Sequence, residues 1–107
     1  MPGQKLDCVA YGCTSGTITA GYQSIYEKVN LAKPNTKVTT PITSAINALK
    51  SLKIKKLSIF TPYTDEINQS VINYFKKENI EITGLTYFDI ASDLDICLLY
   101  TSDAADE

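Results

Sequence analysis

Cys13-Thr14-Ser15 is the group of residues in this chain best suited to chemistry. It follows the apolar run Leu6 to Tyr11, which reads as a buried strand ending at Gly12-Cys13, and it precedes a helical pattern that starts near Thr17. A thiol and two hydroxyls therefore fall at the carboxyl end of a strand, where open α/β sheets bind ligands. The partial positive charge and free N–H groups of a nearby helix N-terminus favour a thiolate. The same N–H groups, with the Thr14 and Ser15 hydroxyls, suit a carboxylate or a developing enolate oxygen. A second strand-to-helix loop, Thr61-Pro62-Tyr63, offers a phenolic donor, and both loops are expected to face a shared cleft. A thiol beside a carboxylate cradle supports proton transfer, or addition, next to a carboxylate. From pattern alone Cys13 is equally readable as structural and Thr14 and Ser15 as helix caps. Tyr63 reads more readily as a surface aromatic in a proline turn.

Several other chemistries are excluded. The chain contains no histidine, which removes Ser-His and Cys-His nucleophile pairs and the commonest transition-metal ligand. Cys8, in the middle of the first strand, is expected in the core, so a zinc site with Cys13 is not expected. Three cysteines without a secretory signal argue against a disulfide framework. Gly12 and Gly16 do not form a dinucleotide fingerprint, and no P-loop follows. The ten basic residues are all lysines; only Lys50, Lys53, Lys55 and Lys56 approach a patch, and the net charge is −2. That is no footprint for nucleic acid. No stretch reaches the length of a membrane span, and the first residues carry no signal-peptide pattern, so a cytoplasmic location is expected.

The elements that must place these residues follow from periodicity. Ile18, Ile25 and Val29 share a helical face, with Tyr22 and Tyr26 beside them. Pro34-Asn35 breaks the chain and Thr36 to Thr40 is β-prone. Thr40-Pro41 is a helix start, and Ile42, Ala45, Ile46, Leu49 and Leu52 repeat at helical spacing. Leu57 to Phe60 reads as a second buried strand. Thr64 can cap a helix with Asp65 and Glu66 in its first turn and Ile67, Val71, Tyr74 and Phe75 on its inner face. Ile80 to Tyr87 alternates as a strand. The order β-α-β-α-β-α-β predicts an α/β fold of parallel sheets with flanking helices.

Residues 97–107, CLLYTSDAADE, resemble the conceptual translation of a transposase-type sequencing adapter. They are expected to be adapter-derived and, with Cys97, stand outside the fold. Without this segment nine acidic residues face ten lysines.

The motifs YGCTSGT, VTTPITSAINALKSL and LSIFTPYTDEIN, in that order, resemble the aspartate/glutamate racemase superfamily. The nearest branch holds maleate cis-trans isomerase, arylmalonate decarboxylase and the related ectoine-utilisation proteins. The resemblance covers about Asp7 to Ile96. It implies two α/β halves related by a pseudo-twofold axis, a central site with one catalytic cysteine from each half, and no cofactor or metal. Cys13 matches the first-half cysteine, Thr14 and Ser15 its dicarboxylate or oxyanion contacts, and Tyr63 a tyrosine that binds a substrate carboxylate. The decarboxylase carries glycine where this chain has Cys13, so the isomerase branch fits better. Isomerases also use an asparagine near the position of Ser92-Asp93, and none stands there.

Family members are roughly twice this length. The resemblance thus implies a central fragment: residues 1–52 as the later part of the first half, 53–96 as the start of the second, with an opening strand before Met1 and a second cysteine after Ile96. The intact parent is expected to isomerise or racemise a small carboxylate, a maleate-type dicarboxylate above others. A decarboxylase or a non-catalytic carboxylate-binding module is the alternative, and a homo-oligomer is possible for the parent. The fragment itself is expected to be inactive, with open sheet edges and uncovered apolar faces.

Overall fold

The computed structural model describes residues 3–92 and 94–96; the segment 97–107, with Cys97, and Asp93 lie outside the described residues. The elements are β1 (Cys8–Ala10), α1 (Thr14–Ala20), α2 (Tyr22–Ala32), β2 (Lys37–Thr39), α3 (Pro41–Ser51), β3 (Lys56–Thr61), α4 (Asp65–Lys77) and β4 (Glu81–Tyr87). The fold is α/β with parallel strand pairs. It divides into two compact units, one ending at Lys55 and the other beginning at Lys56.

In the first unit β1 pairs in parallel with β2, Val9 opposite Val38. Parallel neighbours need a crossover, and α1 and α2 supply it. The expected single helix is two. Gly21 takes a φ of +83°, ending α1 and opening α2, a conformation that side-chain-bearing residues rarely adopt. Ile25, Val38, Ile42 and Ile46 are buried and form the core. Burying each such side chain contributes about 1.5–3 kcal/mol. The turn into β2 is held by Asn30, whose Nδ2–H donates to the Thr36 carbonyl and whose Oδ1 accepts from the Thr36 N–H, both at 3.0 Å. Helix α3 starts as its sequence dictates. Thr40 is the N-cap, Thr43 completes a capping box and Pro41 opens the first turn.

In the second unit β3 pairs in parallel with β4, and the register shifts between Leu57 and Ser58. Opposite Ser58 sits Gly84, where a Cβ would come within 2.9 Å of Ser58 Oγ. Val71, Phe75 and Ile80 form the buried face. Asp65 and Glu66 occupy the first turn of α4 and Lys76 and Lys77 the last, matching the helix dipole at both ends. Thr64 is the N-cap residue, but its side chain makes no capping hydrogen bond.

Two expectations are corrected. Neither β1 nor β3 is a buried run: both alternate, with exposed and half-buried residues in turn. Cys8 is exposed and not in the core. The reason is the pleat. Val9 shares the face of buried Val38, while Cys8 and Ala10 point to the opposite face, which nothing among the described residues covers. Phe60 likewise is 63% exposed, and it makes an edge-on pair with half-exposed Phe88, ring centres 5.0 Å apart. No helix among the described residues is long and apolar enough to cross a membrane.

Such uncovered aromatic surface marks a face that needs a partner layer. The isolated 107-residue chain is therefore expected to bind a hydrophobic dye and to melt over a broad range. A sharp, cooperative melt of a soluble, dye-silent monomer would contradict this.

Candidate functional site

The chain leaves β1 through Tyr11 and Gly12 and enters α1 at Cys13. This residue is not a few positions ahead of the helix, as its sequence context suggested, but is itself the N-cap, with extended backbone angles (φ −134°, ψ 112°). N-caps normally use a side-chain oxygen to accept a backbone N–H. Here sulfur does so: the Gly16 N–H donates to Cys13 Sγ at 3.2 Å. Ser15 Oγ lies 3.9 Å from the same sulfur. The Cys13 carbonyl is fixed from below by the Thr17 N–H at 3.1 Å and the Thr17 hydroxyl at 2.6 Å. Thr17 is fully buried, so this anchor is shielded from water. The result is a half-buried cysteine whose carbonyl and sulfur are both tied to the first turn of α1.

Gly16 leaves the space that the thiol uses. A Cβ there would sit 2.8 Å from Cys13 Sγ and 2.7 Å from Tyr11 Oη. The phenol of Tyr11 thus flanks the same space as the sulfur, and Tyr11 is 39% exposed. Thr14 and Ser15 are the first two residues of α1, both half-buried, so Cys13, Thr14 and Ser15 come together within one turn.

Tyr63 belongs to the second unit, half-buried at the end of the Thr61-Pro62-Tyr63 loop. The loop is tightly tied. Asn68 Oδ1 accepts the Thr61 hydroxyl, and Asn68 Nδ2–H donates to the Tyr63 carbonyl at 3.2 Å. The Tyr63 N–H reaches Thr61 Oγ1 at 3.4 Å. Phe88 N–H donates to the Thr61 carbonyl at 3.2 Å and Ile90 N–H to the Pro62 carbonyl at 2.8 Å, lacing the loop to the chain beyond β4. Tyr87 Oη–H donates to Asp65 Oδ1 at 3.4 Å, and the Asp65 charge is the main influence that pushes the Tyr87 phenol above the ordinary tyrosine range.

Sequence reasoning missed Tyr11, Gly16, Thr17 and Asn68. Thr17 had a signal, a hydroxyl placed to bond back to the carbonyl four residues earlier. Asn68 had one too, a polar residue in register with Val71 and Phe75 on an otherwise apolar stripe. A groove of about 420 Å³ lined by Ile72, Lys76, Asn79, Ile80, Glu81 and Ile82 lies at the amino end of β4. Parallel sheets bind ligands at the opposite, carboxyl end, so this groove is not the candidate site. Among the described residues no cluster of three or more acidic or cysteine side chains is arranged to hold a metal.

The profile of the arylmalonate decarboxylase family matches residues 14–105, beginning one residue after Cys13. The maleate isomerase of Alcaligenes faecalis is 28% identical over 104 residues, covering 89% of this chain and 40% of that protein. The maleate isomerase of Pseudomonas putida (strain KT2440) is 26% identical over 97 residues, covering 84% and 39%. Among solved structures, a cysteine-to-alanine variant of the maleate isomerase Iso from Pseudomonas putida S16 with maleate superposes with a TM-score of 0.77 at 20% identity, over 92% of this chain and 44% of that one. The Nocardia farcinica maleate cis-trans isomerase bound to TRIS gives 0.74 at 15%, over 94% and 46%. These structures share the fold. The chain spans about 40% of the length of the curated relatives it matches.

Two substitutions check this geometry. Gly16→Ala should destabilise the protein by about 1–3 kcal/mol through overpacking, reversing the gain that alanine normally brings to a helix; a urea midpoint that rises instead would contradict the close approach. Asp65→Asn should bring the Tyr87 phenol down towards its ordinary value, visible as earlier phenolate absorbance in an alkaline titration. Raised tyrosines bind their proton more tightly in the fold, so the stability they contribute is present below the ordinary tyrosine pKa and is lost as pH climbs through their folded values.

Proposed function

The chain belongs to the arylmalonate decarboxylase family, and on that premise we propose that the whole protein is a cofactor-independent isomerase or racemase of a small carboxylate, with a maleate-type dicarboxylate favoured. The observation that carries this reading is the half-buried residue Cys13, whose sulfur accepts the Gly16 N–H just beyond the carboxyl end of β1. The two maleate isomerases among the curated relatives support the choice of substrate.

In the isomerase reading, the Cys13 sulfur adds as thiolate to one alkene carbon of maleate. The π pair moves to the neighbouring carbon and into its carboxylate as an enolate. The former double bond is now single, and rotation about it brings the carboxylates trans. Collapse of the enolate reforms the double bond and expels the thiolate, giving fumarate with no net oxidation or proton uptake. Thr14 and Ser15 hydroxyls bind the carboxylate where the enolate oxygen develops, a donor role worth most when charge appears in the transition state. Tyr63 donates to a substrate carboxylate. In a racemase, Cys13 would instead take or give the proton on one face of the α-carbon, opposite a second thiol.

A decarboxylase is the second reading, favoured by the family whose profile matches. It predicts carbon dioxide release from a malonate. A binding module without turnover is the third. The 107-residue chain alone is proposed to be inactive, as it spans under half of its relatives.

Cys13→Ala in the whole protein should lower maleate turnover by at least about a thousandfold. Turnover that survives this change would remove Cys13 from the chemistry. Carbon dioxide from a malonate, with no fumarate from maleate, would favour the decarboxylase.

A further inference from the structure

We propose that Asn68 is a positioning residue for substrate carboxylate binding, acting by fixing the loop that carries Tyr63. The proposal rests on the role of Tyr63 given above. Asn68 is fully buried in the first turns of α4, on the stripe it shares with Val71 and Phe75. An apolar side chain would suit that stripe, and asparagine is a weak helix former. Burying its amide is costly unless both ends are bonded. Both are, and neither bond runs to the core. The carbonyl end takes the Thr61 hydroxyl, and the amino end donates to the Tyr63 carbonyl at 3.2 Å. Thr61 Oγ1 also meets the Tyr63 N–H at 3.4 Å. One planar group therefore grips both ends of a three-residue loop, and both backbone polar groups of Tyr63 belong to its network.

The chemistry requires an acceptor and a donor on the same short side chain, which asparagine provides. Between the two grips Pro62 is buried, and proline fixes φ. With Tyr63 so pinned at its backbone, only rotation within its own side chain is left to aim the phenol. The expense of ordering that residue is met on folding, not on substrate binding, which is how preorganisation raises affinity.

The test uses the whole protein and steady-state kinetics on maleate. Asn68→Ala should raise KM about tenfold, the loss expected when a hydrogen bond to a charged group is misplaced. kcat per folded molecule should stay within about twofold. Combining it with Tyr63→Phe should give a KM no worse than the more severe single change, because the two act through one contact. Thr61→Val, nearly isosteric, removes the hydroxyl between them and should raise KM in the same way if Asn68→Ala does not fold, with Thr61→Ser restoring it. A merely structural Asn68 would lower apparent kcat with the folded fraction and leave KM alone. Tyr63→Phe raising KM while folded Asn68→Ala and Thr61→Val do not overturns this proposal alone. Tyr63→Phe leaving KM unchanged overturns the role of Tyr63, and this proposal with it; so does wild-type protein that neither binds nor turns over maleate.

Discussion

The hydrogen bond from the Gly16 N–H to the Cys13 sulfur is the contact on which the rest of the site depends. It makes a thiol do the work of an N-cap, a role that serine, threonine, aspartate or asparagine usually fills. Those residues would satisfy the helix as well or better, so helix stability does not explain the sulfur. The cost is visible around it. Glycine at residue 16 leaves room for it, since a Cβ there would come within 3.0 Å of both the Cys13 sulfur and the Tyr11 hydroxyl and one of them would have to shift. Thr17 is buried completely to brace the Cys13 carbonyl from behind. Two neighbouring residues are thus constrained around one sulfur atom just beyond the end of a strand.

Each unit repeats one local plan by different means. A parallel strand ends, the chain turns through a few residues, and a helix begins. In the first unit the turn is shaped by the thiol cap and by the Thr17 brace. In the second, Thr64 contributes no capping bond, and the turn is shaped from within the helix by Asn68. A candidate site residue stands at each turn, Cys13 in one and Tyr63 in the other. Parallel strands place such turns at their carboxyl ends, which is why these folds accept many chemistries by changing a few loop residues.

What could be read from the sequence was the chemistry that is local. Thr40-Pro41 gave the start of α3 directly, because a hydroxyl cap and an N1 proline act within one turn. Asp65 and Glu66 marked the opening of α4 for the same reason. Cys13, Thr14 and Ser15 stood out by type, but the cap made by sulfur did not, since thiols are not usual caps. The break at Gly21 was hidden because the spacing of Ile18, Ile25 and Val29 continues across it. Burial was overestimated at Cys8 and Phe60. An apolar strand reads as covered on both faces, and here one face of each pair carries no layer among the described residues. Asn68 was passed over because a search for an apolar stripe counts only its hydrophobic members.

The most direct measurement of the central claim is site-resolved alkylation of the whole protein by iodoacetamide, with and without maleate, read by mass spectrometry at Cys13. Cys13 is expected to react readily, and maleate to protect it in a saturable way. A Cys13 that stays unmodified, or one that reacts at the same rate with saturating maleate present, would contradict that claim.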